Sequence, residues 1–245
     1  MRRFFVRADQ VNGDIVTLTG CEAHHISSVL RMRTGQVVEF FDATGTVYQT
    51  EITSLTTRAL QGKIIYRFVD RISEQFPLTL AQGILKGKKM DMVVQKATEL
   101  GVTSLLPVIS RYCVAGKNIE RRLNRWQRIV TQACKQCGRS VPMTIEPIVR
   151  LEELVVTDYS YRLCCWENEK EALLTPDYLC SAGKILLLIG PEGGLHEQEI
   201  QRIREMNFYI INLGRYVLRS ETASLAAVSI VQYLGRLVAT DDQDD

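Results

Sequence analysis

No apolar run in the 245 residues approaches the roughly 20 residues of a membrane-spanning helix, and the basic opening MRRFFVRADQ has no apolar stretch behind it. Membrane insertion and secretion are therefore disfavoured, and a cytoplasmic protein is expected. Nucleotide fingerprints are missing too. The chain has neither G-x-G-x-x-G nor G-x-x-x-x-G-K-[ST], which argues against a dinucleotide or a P-loop nucleotide as bound group. Seven cysteines are an odd number without the even spacing of a secreted scaffold, which fits a reducing compartment. Cys134 and Cys137 form a C-x-x-C, but no second pair accompanies them, so no metal is expected. Internal repeats and low-complexity tracts are absent as well.

The net charge of +2 hides a strong asymmetry. Residues 73–140 carry 12 basic and 4 acidic side chains, whereas residues 141–245 carry 9 and 17, so positive charge is concentrated in one block. Lys86, Lys88, Lys89, Arg121, Arg122, Arg125, Arg128, Lys135 and Arg139 make up that block. Such a block can neutralise phosphates and release counterions, which points to nucleic acid. A solvated helix face would look the same from charge alone.

Residues 1–72 read as short period-two segments (RRFFV, DIVTL, QVVEFF, TVYQTEIT, ALQGKIIYRFV) interrupted by one helical stretch at 23–31, the pattern of a small β barrel. In the last segment Leu60, Ile64, Tyr66 and Phe68 are expected on one buried face, opposite Gln61, Lys63 and Arg67. The polar stretch 70–77 ends in proline and marks a boundary. Beyond it the period changes: LTLAQGIL, a helix carrying Met90, Val93, Val94 and Ala97, then TSLLPVI form a βαβ unit. A helix striped with Ile119, Leu123, Trp126, Val130, Ala133 and Cys137 precedes the strands YRLCCW and KILLLIG, whose continuous apolarity suits a covered parallel sheet. Residues 73–240 are thus expected to form an α/β domain, followed by a disordered acidic tail at 241–245.

Two loops carry the chemistry. In Leu187-Leu188-Ile189-Gly190-Pro191-Glu192-Gly193-Gly194-Leu195 a buried strand runs into a glycine-rich turn and a helix, which lets backbone approach a ligand closely; a tight turn with no ligand would also want these glycines. Leu213-Gly214-Arg215-Tyr216-Val217-Leu218-Arg219-Ser220-Glu221-Thr222-Ala223 repeats the order strand, glycine, helix, with Ser220 as candidate N-cap. Arg219 stands where a cation opposes the helix dipole, so it either points to solvent or is kept for a ligand anion.

With these loops on view, the chain resembles the RsmE group of SPOUT methyltransferases, enzymes that methylate N3 of a uridine in bacterial 16S ribosomal RNA. The likeness covers nearly the whole sequence. It rests on Arg3-Phe4-Phe5, His25, Val29-Leu30-Arg31, Gly35 and Asp42 in front. Behind, it rests on Lys89, the run Gln95-Lys96-Ala97-Thr98-Glu99-Leu100-Gly101, Pro107 and Gln136-Cys137-Gly138-Arg139, with IGPEGG and LRSETA the most specific.

The resemblance implies a PUA-like RNA-binding barrel followed by a SPOUT α/β domain with a C-terminal trefoil knot, acting as a homodimer on 16S rRNA in the small ribosomal subunit. S-adenosylmethionine is the implied cofactor, held by Trp166, Glu167, Ile189, Gly190, Pro191, Gly193, Gly194, Leu213, Gly214, Val217, Leu218, Thr222 and Ala223. Arg219 is the implied catalytic residue, orienting the base and stabilising charge on it. Glu192 either accepts a proton or shapes its own loop. Arg3, His25, Arg31, Lys89 and Arg139 are implied RNA contacts. The sequence departs from the group's pattern at Arg111, Tyr112, Lys135 and Tyr216, and at His196, where a serine N-cap is expected to be lost. The alternatives are a SPOUT enzyme with another rRNA or tRNA target and a non-catalytic RNA-binding protein.

Overall fold

The structure, a computed structural model, describes residues 1–70, 77–113, 119–175 and 183–241, with the side chains of 236–241 excepted. The chain divides into two compact units, Met1–Ser73 with Cys134–Pro142, and Glu74–Ala133 with Met143–Asp245. The expected boundary at 70–77 falls largely outside the described residues, as does the tail beyond Asp241.

The first unit is built from β1 (Arg3–Phe5), β2 (Val11–Asn12), β3 (Ile15–Thr19), α1 (Cys21–His24), β4 (Val37–Phe41), β5 (Thr46–Leu55) and β6 (Ala59–Val69). They form one sheet in the order β1-β4-β5-β6-β3-β2, antiparallel except for β1 on β4. Alternate residues of five strands meet Ala23 and Ile26 in a single core that includes Phe4, Leu18, Phe40, Ile52 and Leu60. The expected helix at 23–31 starts earlier, after Gly20 at φ +73°, and continues as a π-turn over His25–Val29 before Arg31 takes φ +51°. Asp42 closes the turn between β4 and β5 by accepting from the Thr44 and Thr46 N–H groups and from the Tyr48 hydroxyl.

One expectation fails in β6. Thr50 pairs with Ile64 but Gln49 pairs with Tyr66, so Ile65 is an extra residue in the ladder. Such a bulge inverts the alternation beyond it. Leu60 and Ile64 are buried as expected, while Tyr66 and Phe68 are 59% and 37% exposed, with their rings 5.9 Å apart.

The second unit holds β7 (Leu78–Gly83), α2 (Lys88–Glu99), β8 (Ser104–Ile109), all but the last turn of α3 (Ile119–Cys137), β9 (Thr144–Ile145), β10 (Val149–Arg150), β11 (Tyr161–Cys165), β12 (Ile185–Ile189), α4 (Glu197–Glu205), β13 (Tyr209–Ile211) and α5 (Ser220–Asp241). Its sheet is wholly parallel in the order β10-β8-β7-β12-β11-β13, with β9 beside β8. Every residue of β7 and β12 is buried, because helices cover both faces. Leu186 and Leu188 pack with Ile200 and Ile203 of α4, while α5 lies against α2, β12 and β7. The stripe of α3 is buried only in its middle: Trp126, Val130 and Ala133 are inside, whereas Ile119 is 47% exposed and Cys137 is exposed. Among the described residues no helix is long and apolar enough to cross a membrane.

Candidate active site

Parallel strands deliver their carboxyl ends to one edge of a sheet, and the loops that leave there form the natural crevice. Here Gln82, Ile189, Cys165 and Ile211 stand in register across β7, β12, β11 and β13. The loops that follow the last three strands line one cleft of about 540 Å³.

A buried polar network draws these loops together. The Gln82 side chain is fully buried, and its amide donates to the Gly83 carbonyl at 3.0 Å and to the Ser220 hydroxyl at 3.2 Å. Ser220 in turn donates to the Gly190 carbonyl, and Ser224 donates to the Gln82 side-chain oxygen. Ser220 is therefore not the N-cap that its position suggested. The Arg219 carbonyl accepts the first helical bond, from Ala223 N at 2.8 Å, which makes Arg219 the cap residue and leaves the serine hydroxyl free to join the two loops.

Gly83 permits one close approach of backbone to backbone, since a Cβ there would lie 2.5 Å from Pro191 N. Gly194, at φ +73°, ends a turn closed by its N–H on the Pro191 carbonyl, and a Cβ on it would strike the Glu167 carboxylate. Asn212 ties the third loop in by donating to the Glu169 carbonyl at 2.7 Å.

Of the residues assigned to a cofactor from sequence, all line this cleft except Gly193 and Thr222. Gly193 packs instead against Tyr112, and Thr222 points outward from the first turn of α5. Arg219 and Glu192 line the cleft, and so does Lys89. The Lys89 ammonium sits 3.6 Å from Glu192 and 3.7 Å from Glu221, inside the cleft rather than on an outer phosphate-facing surface. Sequence reading missed Cys165, Glu169, Lys170, Asn212 and Glu221 as lining residues. Glu169 is the most informative omission. The backbone N–H groups of Glu171 and Ala172 draw its carboxyl below the ordinary range, so it stays ionised while it closes its own turn.

Two buried polar atoms of lining residues have no hydrogen-bond partner among the described residues, the Trp166 indole N–H and one Glu221 carboxylate oxygen. A buried donor or acceptor left this way is costly unless something else satisfies it. Arg219 is exposed, and its guanidinium has no hydrogen-bond or ion-pair partner among the described residues. A glycine cradle, an orphan donor, ionised carboxylates and an unengaged arginine suit a polar ligand of mixed charge beside an anionic one. Among the described residues no cluster of His, Cys, Asp or Glu could hold a metal ion.

Burial pushes the Glu192 carboxyl up, but the Lys86 and Glu192 N–H groups and the Lys89 ammonium outweigh it, and its pKa lies below the usual value. A group depressed on folding stabilises above its unfolded pKa, and that contribution is lost as pH falls through the folded pKa. Glu192→Gln should therefore lower the thermal midpoint at neutral pH and match wild type below the carboxylate range. A pH-independent difference would separate the effect from ionisation.

His196 corrects another expectation. Its Nδ1 accepts from the Gln198 N–H at 3.2 Å, and Glu199 accepts from the His196 N–H at 2.9 Å, so α4 keeps a capping box without serine. His196→Ala should cost about 1 kcal/mol and His196→Ser should recover it, read from urea midpoints at constant m. Glu199 also accepts from the Arg111 N–H at 2.8 Å, which fixes the segment before Tyr112.

The implied RNA contacts in the first unit separate into two groups. His25 and Arg31 are exposed on and just after the π-turn. Arg3 is turned inward: it bonds the Gly138 carbonyl and Ser140 Oγ, lies 3.4 Å from Glu39 and covers the Phe41 ring. Arg139 is half-buried with its Nε on the Val141 carbonyl, and burial lowers its pKa. Arg3 fastens 134–142 within that unit, and the Arg139 bond closes a turn inside that segment. Lys135 is likewise paired with Glu22.

Known proteins share this fold. The RNA methyltransferase domain family matches residues 73–232, and the RNA methyltransferase PUA domain family matches residues 18–65. Ribosomal RNA small subunit methyltransferase E of Mesomycoplasma hyopneumoniae is 30% identical, over 92% of this chain and 96% of that protein. The chain belongs to the ribosomal RNA small subunit methyltransferase E family. The crystal structure of the Neisseria gonorrhoeae family member bound to S-adenosylmethionine aligns with a TM-score of 0.85 at 34% identity, over 96% of this chain and 98% of that one. A Legionella pneumophila methyltransferase in complex with the same cofactor aligns at 0.86 and 28%, over 94% and 96%. This family member thus joins a PUA-like domain to a SPOUT methyltransferase fold with a parallel sheet, and it is an RNA methyltransferase.

Proposed function

We propose that the chain transfers a methyl group from S-adenosylmethionine to N3 of one uridine in 16S ribosomal RNA, in the cytoplasm, as a homodimer acting on the assembled small subunit. Residues 1–72 serve RNA binding and residues 73–240 catalysis, with 241–245 outside both, and the C-terminal part of the catalytic domain carries a trefoil knot. One observation carries the reading. The Ser220 hydroxyl on the Gly190 carbonyl makes two distant glycine-bearing loops line a single cleft that also includes the unengaged Arg219.

The residues fit the cofactor. Gly190 and Gly194 line the cleft, the Trp166 N–H lacks a partner among the described residues, and Glu167 and Glu221 supply carboxylates for a cationic donor. When bound, S-adenosylmethionine supplies an electrophilic methyl carbon on a sulfonium, so catalysis reduces to presenting a nitrogen lone pair in line. Uracil N3 must give its proton to solvent water, which spreads negative charge onto the flanking carbonyl oxygens. Arg219 stabilises that charge and orients the base. Glu192, ionised and held by the Lys86 N–H, shapes the loop rather than accepting the proton. His25 and Arg31 contact RNA from the first unit.

Mass mapping of 16S rRNA from a strain lacking the gene should show one N3-methyluridine missing, restored by the purified protein with the cofactor. Persistence of every N3-methyluridine would overturn the assignment.

A further inference from the structure

The loop between β7 and α2 and the first turn of α2 border two clefts. Lys89 turns into the cleft described above, and the Lys86 N–H fastens the loop to Glu192 at 3.0 Å. The side chains of Lys86 and Lys88 line a second cleft of about 450 Å³. Arg122 and Arg125 of α3 supply its other cations, and Asp91 is its one carboxylate. Asp91 is already neutralised, since Arg125 binds it through two bonds of 3.0 and 2.6 Å.

Arg122 is ordered in advance. It bonds the Leu85 carbonyl at 3.3 Å, and its guanidinium lies 5.2 Å from the centroid of the buried Trp126 ring. A guanidinium fixed on an indole keeps edge N–H groups for a ligand and loses little entropy on binding one. Lys86 and Lys88 are exposed, and neither ammonium has an ion-pair partner among the described residues. Between them Gly87, at φ +57°, has nothing within 4 Å of where a Cβ would stand, so approach is open. Four cations against one paired carboxylate, around a recess with a rigid floor, are more than a solvated helix face needs.

We infer that this basic cleft grips phosphodiester groups of the RNA strand next to the nucleotide being methylated. The inference rests on the RNA methyltransferase reading and adds a substrate subsite within the catalytic unit. Because the loop 84–87 and the first turn of α2 together border both clefts, a strand held at Lys86 and Lys88 is guided toward the Arg219 cleft by the same backbone that Glu192 anchors.

The test is filter binding of unmodified small ribosomal subunits across about 50–200 mM salt. Lys86→Ala/Lys88→Ala should weaken binding about tenfold at low salt and make the slope of log K against log salt shallower by about 1–2. Arg121→Ala/Arg128→Ala removes the same charge from exposed positions of α3 outside the cleft and should change both much less. Calorimetry with S-adenosylmethionine, within about twofold of wild type, verifies that each variant is folded. Equal weakening by the two double variants, or none by either, overturns the cleft as a subsite. If Lys86 and Lys88 carry binding but the wild-type protein transfers no methyl group, the functional reading falls and the subsite stands. If wild type methylates and the Lys86/Lys88 variant binds as tightly, the reverse holds.

Discussion

Arg219→Ala should lower turnover by a factor on the order of 10²–10³ while changing S-adenosylmethionine affinity by less than about threefold. The asymmetry follows from where the side chain stands. Its backbone carbonyl caps α5 through the Ala223 N–H, a bond that any residue can make, so alanine leaves the helix and the loop in place. The guanidinium itself has no protein partner among the described residues, so its removal breaks nothing in the resting enzyme. Under the proposed function, what is lost is a charge aimed at the uracil oxygens once N3 gives up its proton, an interaction stronger in the transition state than before it. Single-turnover rates with saturating cofactor, beside calorimetric Kd values, separate the two quantities. A variant as fast as wild type would remove Arg219 from the chemistry, and a parallel collapse of cofactor affinity would recast it as a cofactor ligand.

The second large effect concerns a glycine outside both glycine-rich loops. Gly83→Ala would place a methyl group 2.5 Å from Pro191 N, 2.7 Å from Pro191 Cδ and 2.8 Å from the Gly190 carbonyl carbon. These atoms belong to a turn that cannot retreat without lengthening the Ser220–Gly190 hydrogen bond and exposing the Gln82 amide. Overpacking of this kind costs about 1–3 kcal/mol, and directed at the cofactor loop it corresponds to a loss of roughly ten- to a hundredfold in S-adenosylmethionine affinity. Calorimetry and a thermal melt should move together. Unchanged affinity would mean that the two strand ends do not support the cleft.

The parts of the molecule that could be read from sequence are those whose cause is local. The all-apolar run at 185–189 announces a strand covered on both faces, and Gly190 with Gly194 announces a turn, because composition alone dictates each. Tyr66 and Phe68 were misassigned because one unpaired residue, Ile65, reverses the faces of β6, and nothing in the strand's own composition records where its partner slips. Arg3 looked like an outward cation for a comparable reason. Its partners Gly138 and Ser140 lie more than 130 positions away, so only the folded unit shows that they claim it. Ser220 carried the right residue type for a cap, but the donor acceptor balance of Gln82 and Gly190 gave its hydroxyl another use. Lys86 and Lys89 fell in one basic block on the page and separate into different recesses in space.

The Ser220 bridge also orders events in time. Ribosomes make this chain from the first residue onward, so Gln82 and Gly190 emerge well before the hydroxyl that satisfies them. Until then the Gly190 carbonyl and the Gln82 side-chain oxygen lack the serine hydroxyls of α5 that complete their bonding, which keeps that wall of the recess from settling. Competence to hold a methyl donor is accordingly acquired in a single late step, when the beginning of α5 arrives. A nonsense codon anywhere upstream of Ser220 yields a product without it, however well its earlier segments have folded.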